Sequence, residues 1–241
     1  MKTRLRVAIV GSSGRMGQTI NAVAESESTE IISKIDLGDP IMFDGADVAI
    51  DFSQPDAIDT ICDAAAKAGI PLVIGTTGHS VAQLRKIEST ASRVPIVLAS
   101  NFSVGVNALF WLAEQAGRIV GDSFDIEIIE THHRLKKDAP SGTAKTLAEI
   151  LQGCRQLKRL RHGREGMLGE RDSSEIGVHA VRGGDIIGDH TVLFAGPGER
   201  LELTHRATNR ETFARGALRA SHWVVGKTAA LYNMRDVLGL K

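Results

Sequence analysis

The sequence predicts an α/β chain: a doubly wound parallel sheet in the first hundred residues, then a smaller α+β domain whose sheet is mostly antiparallel. Three observations carry that prediction. Short apolar runs alternate with helix-like segments from Arg6 to about Ser103. A glycine-rich turn follows the first of those runs directly. Beyond Ser103 the alternation gives way to a long helix and then to strand-like runs in close succession. Alternating short strands and helices imply parallel strands covered on both faces, because each crossover lays a helix on the sheet.

The elements read as follows. "RVAIVG" is a buried strand and Met16 to Ser26 a helix; "IISKID" is the second strand and "VAIDFS" the third. Pro55 opens a helix that runs to Ala68 and stops at Gly69, a residue free to adopt the left-handed turn that ends helices. "PLVIGTTG" is the fourth strand, Val81 to Ser89 a helix and "PIVLASNFS" the fifth strand. "NALFWLAEQAGRIVG" then reads as a long helix with Phe110 and Trp111 in its core, "FDIEIIETHH" as a strand and "SGTAKTLAEILQG" as a helix. The basic "RQLKRLRHGR" reads as a solvated helix end, with a place near the active site or a subunit interface as the alternative. "IGVHAVRGG", "DHTVLFAG" and "ERLELTHRA" lie close enough together to suggest antiparallel pairing. A last helix from about Arg210 to Val225 leads into a tail that returns to the first domain. The domains are therefore 1–103, completed by 210–241, and 104–209.

Totals narrow the function classes. Lys and Arg number 29, as do Asp and Glu, so no general attraction to nucleic acid or anionic membrane exists and any anion specificity is local. Two cysteines, Cys62 and Cys154, fit a reducing cytosol and belong to no metal-spaced cluster. No apolar run is long enough to cross a bilayer, and the basic start at Lys2, Arg4 and Arg6 precedes only "VAIV". The expectation is a cytoplasmic protein without a metal, a nucleic-acid partner or a membrane partner.

"VAIVGSSGRMGQTI" sets Gly11, Gly14 and Gly17 between a strand and a helix, where backbone amides and the helix dipole favour an anion. The spacing is GxxGxxG, and a ligand-free glycine turn is the competing reading. Asp36 closes the second strand about 20 residues on, where an acid binds the adenosine ribose hydroxyls, and tips the balance to a Rossmann-type nicotinamide dinucleotide site. An acid there repels a 2′-phosphate and Leu37 supplies no cation, so NADH is expected to be preferred, with Lys34 or Arg15 as the route to NADPH. "GTTG" from Gly75 and "ASNFS" from Ala99 follow later strands, at the ends where such sheets bind ligands; capped turns are the even alternative.

"EIIETHHRLKKDAPSGTA" carries the second half of the chemistry. His132 and His133 are adjacent on a strand and point to opposite faces, so they cannot share a job. One imidazole suits proton transfer near neutral pH. Ser141 reads as the cap of a helix starting near Gly142, leaving the amides of Gly142 and Thr143 to meet an anion beside Lys136 and Lys137. An exposed basic loop is the competing reading; beside a dinucleotide site, a carboxylate-binding loop is the better one.

This stretch resembles the signature of the 4-hydroxy-tetrahydrodipicolinate (dihydrodipicolinate) reductase family of the lysine and diaminopimelate pathway. The likeness runs nearly end to end, through "VAIVGSSGRMG", "DFS", "GTTG", "ASNFSVGVN", "RGGDIIGDHTVLF" and "GERLELTHRATNRETFARGALRAS". It implies NAD(P)H-dependent reduction of the cyclic substrate with loss of its hydroxyl as water, in a homotetramer. It implies His132 as acid/base, Lys136 as proton donor, His133 as a substrate contact, and Ser141, Gly142 and Thr143 at a substrate carboxylate. The cofactor site it implies comprises Gly11, Ser12, Ser13, Gly14, Arg15 and Met16, then Gly75, Thr76 and Thr77, then Ala99, Ser100, Asn101 and Phe102, besides Asp36. On this reading a protonated His132 and Lys136 meet the negative charge that hydride delivery builds. Leu37 and the short segment from Asp36 to Asp51 depart from the family pattern and bear on cofactor choice. Arg210 and His205 read as either substrate neighbours or buried structural residues. A different two-domain dehydrogenase, acting on a sugar or amino-acid derivative, and a non-catalytic dinucleotide sensor are the alternative functions.

Overall fold

The computed structural model describes residues 4–155 and 159–241. Lys2 and residues 156–158 of the basic stretch lie outside the described residues. The chain forms two compact units, one reaching to Val104 and resuming at Arg210, the other Gly105–Asn209.

In the first unit, β1 (Leu5–Val10), α1 (Arg15–Val23), β2 (Thr29–Ile35), β3 (Val48–Asp51), α2 (Ile58–Ala68), β4 (Leu72–Ile74), α3 (Val81–Ala91) and β5 (Ile96–Leu98) follow one another. Its sheet has six parallel strands in the order β11-β5-β4-β3-β1-β2, where β11 is Leu231–Tyr232 from the carboxyl end of the chain. β1 shows why the sheet is parallel: Val7 and Ile9 pack into one apolar cluster, Ala8 and Val10 into another. Both faces of the strand are dry, so the run has no polar alternation. Gly69 takes the left-handed conformation (φ 68°) that ends α2. Ser80 and Gln83 close a capping box on α3.

The second unit contains α4 (Val104–Val120, which starts one residue before it), β6 (Asp125–His132), α5 (Gly142–Arg155), β7 (Arg159–His162), β8 (Glu175–Arg182), β9 (Gly188–Gly196) and β10 (Glu199–Ala207). Ile126, Ile128, Ile176, Val178, Val192 and Phe194 from the sheet pack with Leu109 and Phe110 of α4 and Leu147 and Leu151 of α5. Trp111, by contrast, is only half-buried. The chain then closes with α6 (Glu211–Val224), β11 and α7 (Met234–Leu238), which pack into the first unit's core through Ala217, Leu218, Val224, Met234 and Val237.

Two expectations change here. The second sheet is mixed: its order is β10-β9-β6-β8-β7, with β10–β9 and β9–β6 antiparallel but β6–β8 and β8–β7 parallel. β8 and β9 are not a hairpin, because the segment joining them wraps the end of β6, where Gly183 N donates to His132 O (2.9 Å) and His133 N to Ile186 O (2.7 Å). "RLRH" is an edge strand and not a helix end. Leu160 turns inward to the core, while Arg161 donates to Glu175 (2.8 Å), the strand alternation that a helix would break.

Candidate active site

The first unit places its glycine-rich turn at a strand end between β1 and α1. β2 lies outside β1, and β3 lies on β1's other flank, so the chain changes direction between β1 and β3. Ligands of such sheets sit beyond the carboxyl ends of the strands at that point. Gly11 leaves β1 with φ 82°, and a Cβ there would lie 2.4 Å from Phe52 O. A Cβ on Gly17 would lie 2.3 Å from Gly11 O, so the loop and the first turn of α1 fit together only as glycines. Gly14 stands before α1 without a side-chain cap, and the first helical bond is Gln18 N to Gly14 O (2.9 Å). The amides preceding Gln18 have no intrahelical acceptor, and a helix start of this kind favours an anion.

Asp36 does reach this loop. Its oxygens accept from Ser12 Oγ (2.5 Å), Ser13 N (2.9 and 3.1 Å) and Ser13 Oγ (2.8 Å). Those donors, Ser12 first, hold the carboxyl below its ordinary range. A cavity of about 390 Å³ opens beside it, lined by Gly11, Ser13, Gly14, Asp36, Leu37, Asp39, Phe52, Ser53 and Asp56 among others. Three carboxylates line it and, among the described residues, no Lys or Arg does. Arg15 opens α1 on the exposed side, and Met16 packs against the core.

The other expected cofactor residues lie at neighbouring strand ends. Gly75, Thr76 and Thr77 follow β4; Thr76 is buried and its Oγ1 accepts from Ser53 N (2.9 Å). A Cβ on Gly75 would lie 2.2 Å from the Phe52 ring, so that position must be glycine for the ring to lie where it does. Ala99, Ser100, Asn101 and Phe102 follow β5; Asn101 Oδ1 accepts from Ser103 N (2.9 Å), and the buried Phe102 ring meets Phe52 edge-on at 5.7 Å. Sequence reasoning passed over Phe52 and Ser53. Their signal was "DFS" at the end of β3, readable by the same strand-end rule as "GTTG". Asp51, at that strand end, is buried with one carboxylate oxygen unpartnered, and burial raises its carboxyl.

The second unit gathers His132, His190, Glu130 and Arg182 into one hydrogen-bonded cluster with Ser141. His132 ends β6 and is 8% exposed, with Nδ1 2.5 Å from Glu130 Oε2. Burial pushes the imidazole below its ordinary value, against the opposing pull of Glu130. Burial therefore favours the neutral imidazole in the resting side chain. His133 is half-buried, as strand alternation requires of its neighbour. Lys136 Nζ donates to Asp138 Oδ1 (2.8 Å) and lowers that carboxyl.

Ser141 caps α5: its Oγ accepts from Ala144 N (3.2 Å), while Lys145 N donates to Ser141 O (3.0 Å). Gly142 begins the helix, and a Cβ there would meet nothing within 4 Å, so the helix start is open to a ligand. Thr143 follows it, half-buried. His190 of β9 lies beneath, with Nε2 3.0 Å from Ser141 Oγ and its ring edge-on to His132 at 5.1 Å. Burial, and then His132, push His190 down to about 3, so it is a neutral partner of Ser141. His205 pairs with His190 across β9 and β10, and its ring fills the space beside Gly105. Glu130, Arg182 and His190 carried no local signal, since β8 and β9 bring the last two from some 50 residues away.

Comparison with known proteins gives a consistent result. Residues 5–102 match the family described as dihydrodipicolinate reductase, N-terminus, and residues 105–238 its C-terminus. The 4-hydroxy-tetrahydrodipicolinate reductase of Akkermansia muciniphila is 51% identical over 242 residues, covering 98% of both chains. That of Alkalilimnicola ehrlichii is 47% identical over 264 residues, covering 98% of this chain and 99% of its own. Among solved structures, dipicolinate-bound dihydrodipicolinate reductase from Paenisporosarcina sp. TG-14 superposes with a TM-score of 0.79 at 27% identity, covering 95% of this chain and 97% of that one.

Proposed function

This chain belongs to the dihydrodipicolinate reductase family, and from that premise we propose how its residues divide the reaction. The activity is reduction of 4-hydroxy-tetrahydrodipicolinate by a nicotinamide cofactor, with loss of water to give tetrahydrodipicolinate, in lysine and diaminopimelate biosynthesis. The residues ending at Ser103 and those from Arg210 form the dinucleotide-binding domain; those from Val104 to Asn209 form the substrate domain.

NAD(P)H supplies the hydride. Gly11 to Met16 receive its pyrophosphate, Asp36 its adenosine ribose, and Gly75 to Thr77 with Ala99 to Phe102 its nicotinamide end. The fit rests on the cradle that side chains at Gly11 and Gly17 would fill. NADH is preferred, because Asp36, Asp39 and Asp56 line the cavity without a cation to neutralise a 2′-phosphate.

In the substrate domain, Ser141 Oγ and the amides of Gly142 and Thr143 bind one carboxylate of a small dicarboxylate, aided by the dipole of α5. His133 contacts the same molecule. Lys136 is the resident cation and donates the proton that follows hydride arrival. His132, neutral at rest, exchanges protons through Nε2. The observation that carries this reading is the convergence of His132 and the start of α5 on one buried carboxylate, Glu130. The related reductase that binds dipicolinate supports a dicarboxylate ligand.

The protein acts as a cytoplasmic homotetramer. Ile129 and Val181, 37% and 46% exposed on the sheet face turned away from α4 and α5, support an assembly through the second unit's sheet. Analytical ultracentrifugation tests it, and a monomer would refute it. Oxidation of NADH in the presence of substrate generated by the preceding enzyme tests the function. Turnover is expected; cofactor binding without turnover would mark a sensor instead.

A further inference from the structure

Glu130 is one of the two most heavily used carboxylates of the second unit, Glu127 being the other, and the reaction as described assigns it no part. It lies on β6 two residues before His132, hence on the same face of the strand, and is fully buried. A buried carboxylate is costly unless its lone pairs are met. Here they all are. Oε1 accepts from Ser141 N (3.0 Å) and Arg182 Nη2 (2.8 Å), while Oε2 accepts from Arg182 Nη1 (2.8 Å) and faces His132 Nδ1 (2.5 Å). Arg182 also donates to Asp138 O (2.6 Å), tying the same group to the loop that carries Lys136.

This arrangement has a chemical consequence. Burial would raise Glu130, but Arg182, His132 and Ser141 N together hold it below its ordinary value, so it stays ionised. An ionised carboxylate only accepts hydrogen bonds, so the nitrogen facing it must bear the proton. That fixes one tautomer of a neutral imidazole: Nδ1–H toward Glu130, lone pair on Nε2. Among the described residues Nε2 has no hydrogen-bond partner, and Gly188 keeps its approach open, since a Cβ there would stand 3.0 Å away.

We propose that Glu130 is a positioning residue, which with Arg182 holds His132 in the Nδ1–H tautomer and locks that imidazole to the capped start of α5. The inference rests on the reading that His132 transfers a proton. It makes one carboxylate responsible for the register between the proton-transfer nitrogen and the carboxylate-binding amides. The charged and titratable groups facing His132 are Glu130 from β6, Lys136 from the following loop, Arg182 from β8 and His190 from β9. Only Glu130 favours the protonated imidazole; Lys136 and Arg182 oppose it.

The test uses the full-length protein with ¹⁵N-labelled histidine. The His132 ring, assigned by its loss in H132A, is expected to show a protonated Nδ1 and an unprotonated Nε2 at neutral pH. The reverse tautomer in the parent protein would overturn the proposal whatever any variant does. Glu130→Gln is expected to lower kcat on the order of 100-fold with KM changed less than about 3-fold, and to move the His132 limb of the pH profile to lower pH. A purely structural role would move stability without moving that limb. The double variant E130Q/R182Q leaves no Arg182 without its counter-ion; because Arg182 opposes the protonated imidazole, it is expected to show a smaller limb shift in the same direction, and it serves if E130Q does not fold. A kcat within about 3-fold of the parent in a folded variant overturns the proposal. If His132→Ala itself retains kcat, the proton-transfer reading has failed, and that result is distinct from a silent Glu130 beside an essential His132.

Discussion

Gly216 sits in the middle of α6, where an alanine would ordinarily help. Glycine in a helix interior is less favourable than alanine by about 1 kcal/mol. The surroundings reverse that expectation. A Cβ on Gly216 would lie 1.8 Å from Phe102 O and 2.7 Å from Phe102 C, where real contacts do not fall below 3.0 Å. The carbonyl or the helix must therefore yield by about 1.2 Å, the difference between 1.8 and 3.0 Å. Neither can do so easily, because Phe102 and Ser103 are buried and the obstructing atoms are backbone. Overpacking costs roughly 1–3 kcal/mol, and a backbone clash of this depth belongs at the top of that range. After the helix gain, Gly216→Ala should destabilise by about 2 kcal/mol, lowering Tm by roughly 4–8 °C. Phe102 ends the run proposed to hold the nicotinamide, so the Kd for NADH should rise as well. Gly153 is the control. It lies in α5, where an added Cβ would meet nothing within 4 Å, so Gly153→Ala should stabilise by up to about 1 kcal/mol. Urea unfolding and NADH fluorescence titration read both effects. A Gly216→Ala protein as stable as its parent, with unchanged NADH affinity, would refute the reasoning.

Three further outcomes are expected. His132→Ala should lower kcat on the order of 100-fold or more with a smaller change in KM, and near-full kcat in steady-state assays would remove it from proton transfer. The parent protein should show higher kcat/KM with NADH than with NADPH, and Leu37→Arg, at a position 99% exposed, should shift that ratio toward NADPH by about 10-fold; a parent preference for NADPH would contradict the role given to Asp36. Glu127 is mostly buried and, although burial alone would raise it, Arg164, Arg171 and His179 hold it down to about 2. A carboxyl depressed from an ordinary 4.5 contributes stability that is present above that value and lost as pH falls toward about 2. Glu127→Gln should cost roughly 2–3 kcal/mol at pH 7 and flatten the loss of stability across that acid window; equally steep acid unfolding in the variant would dismiss the group.

The sequence by itself determined the features written in local periodicity and turn chemistry. "VAIV" with no polar alternation specified a strand dry on both faces, and Gly11 a turn with positive φ. Gly69 ended α2, and Ser141 capped α5 where the hydroxyl pattern placed it. His132 and His133 separated to different environments because adjacent strand residues must. Only the tertiary structure decided the rest. Strand neighbours in the second sheet were not readable from spacing, because backbone pairing between distant segments leaves no local period. β6 thus separates β8 from β9, and "RLRH" becomes an edge strand through Leu160 and the Arg161–Glu175 pair. The state of His132 was equally hidden. An imidazole's charge and tautomer are set by burial and by partners that folding brings, here a guanidinium from β8 that keeps Glu130 ionised. The residues proposed for the chemistry could be named from the chain; the carboxylate proposed to aim His132 could not, because its partners Arg182 and Ser141 reach it only through the fold.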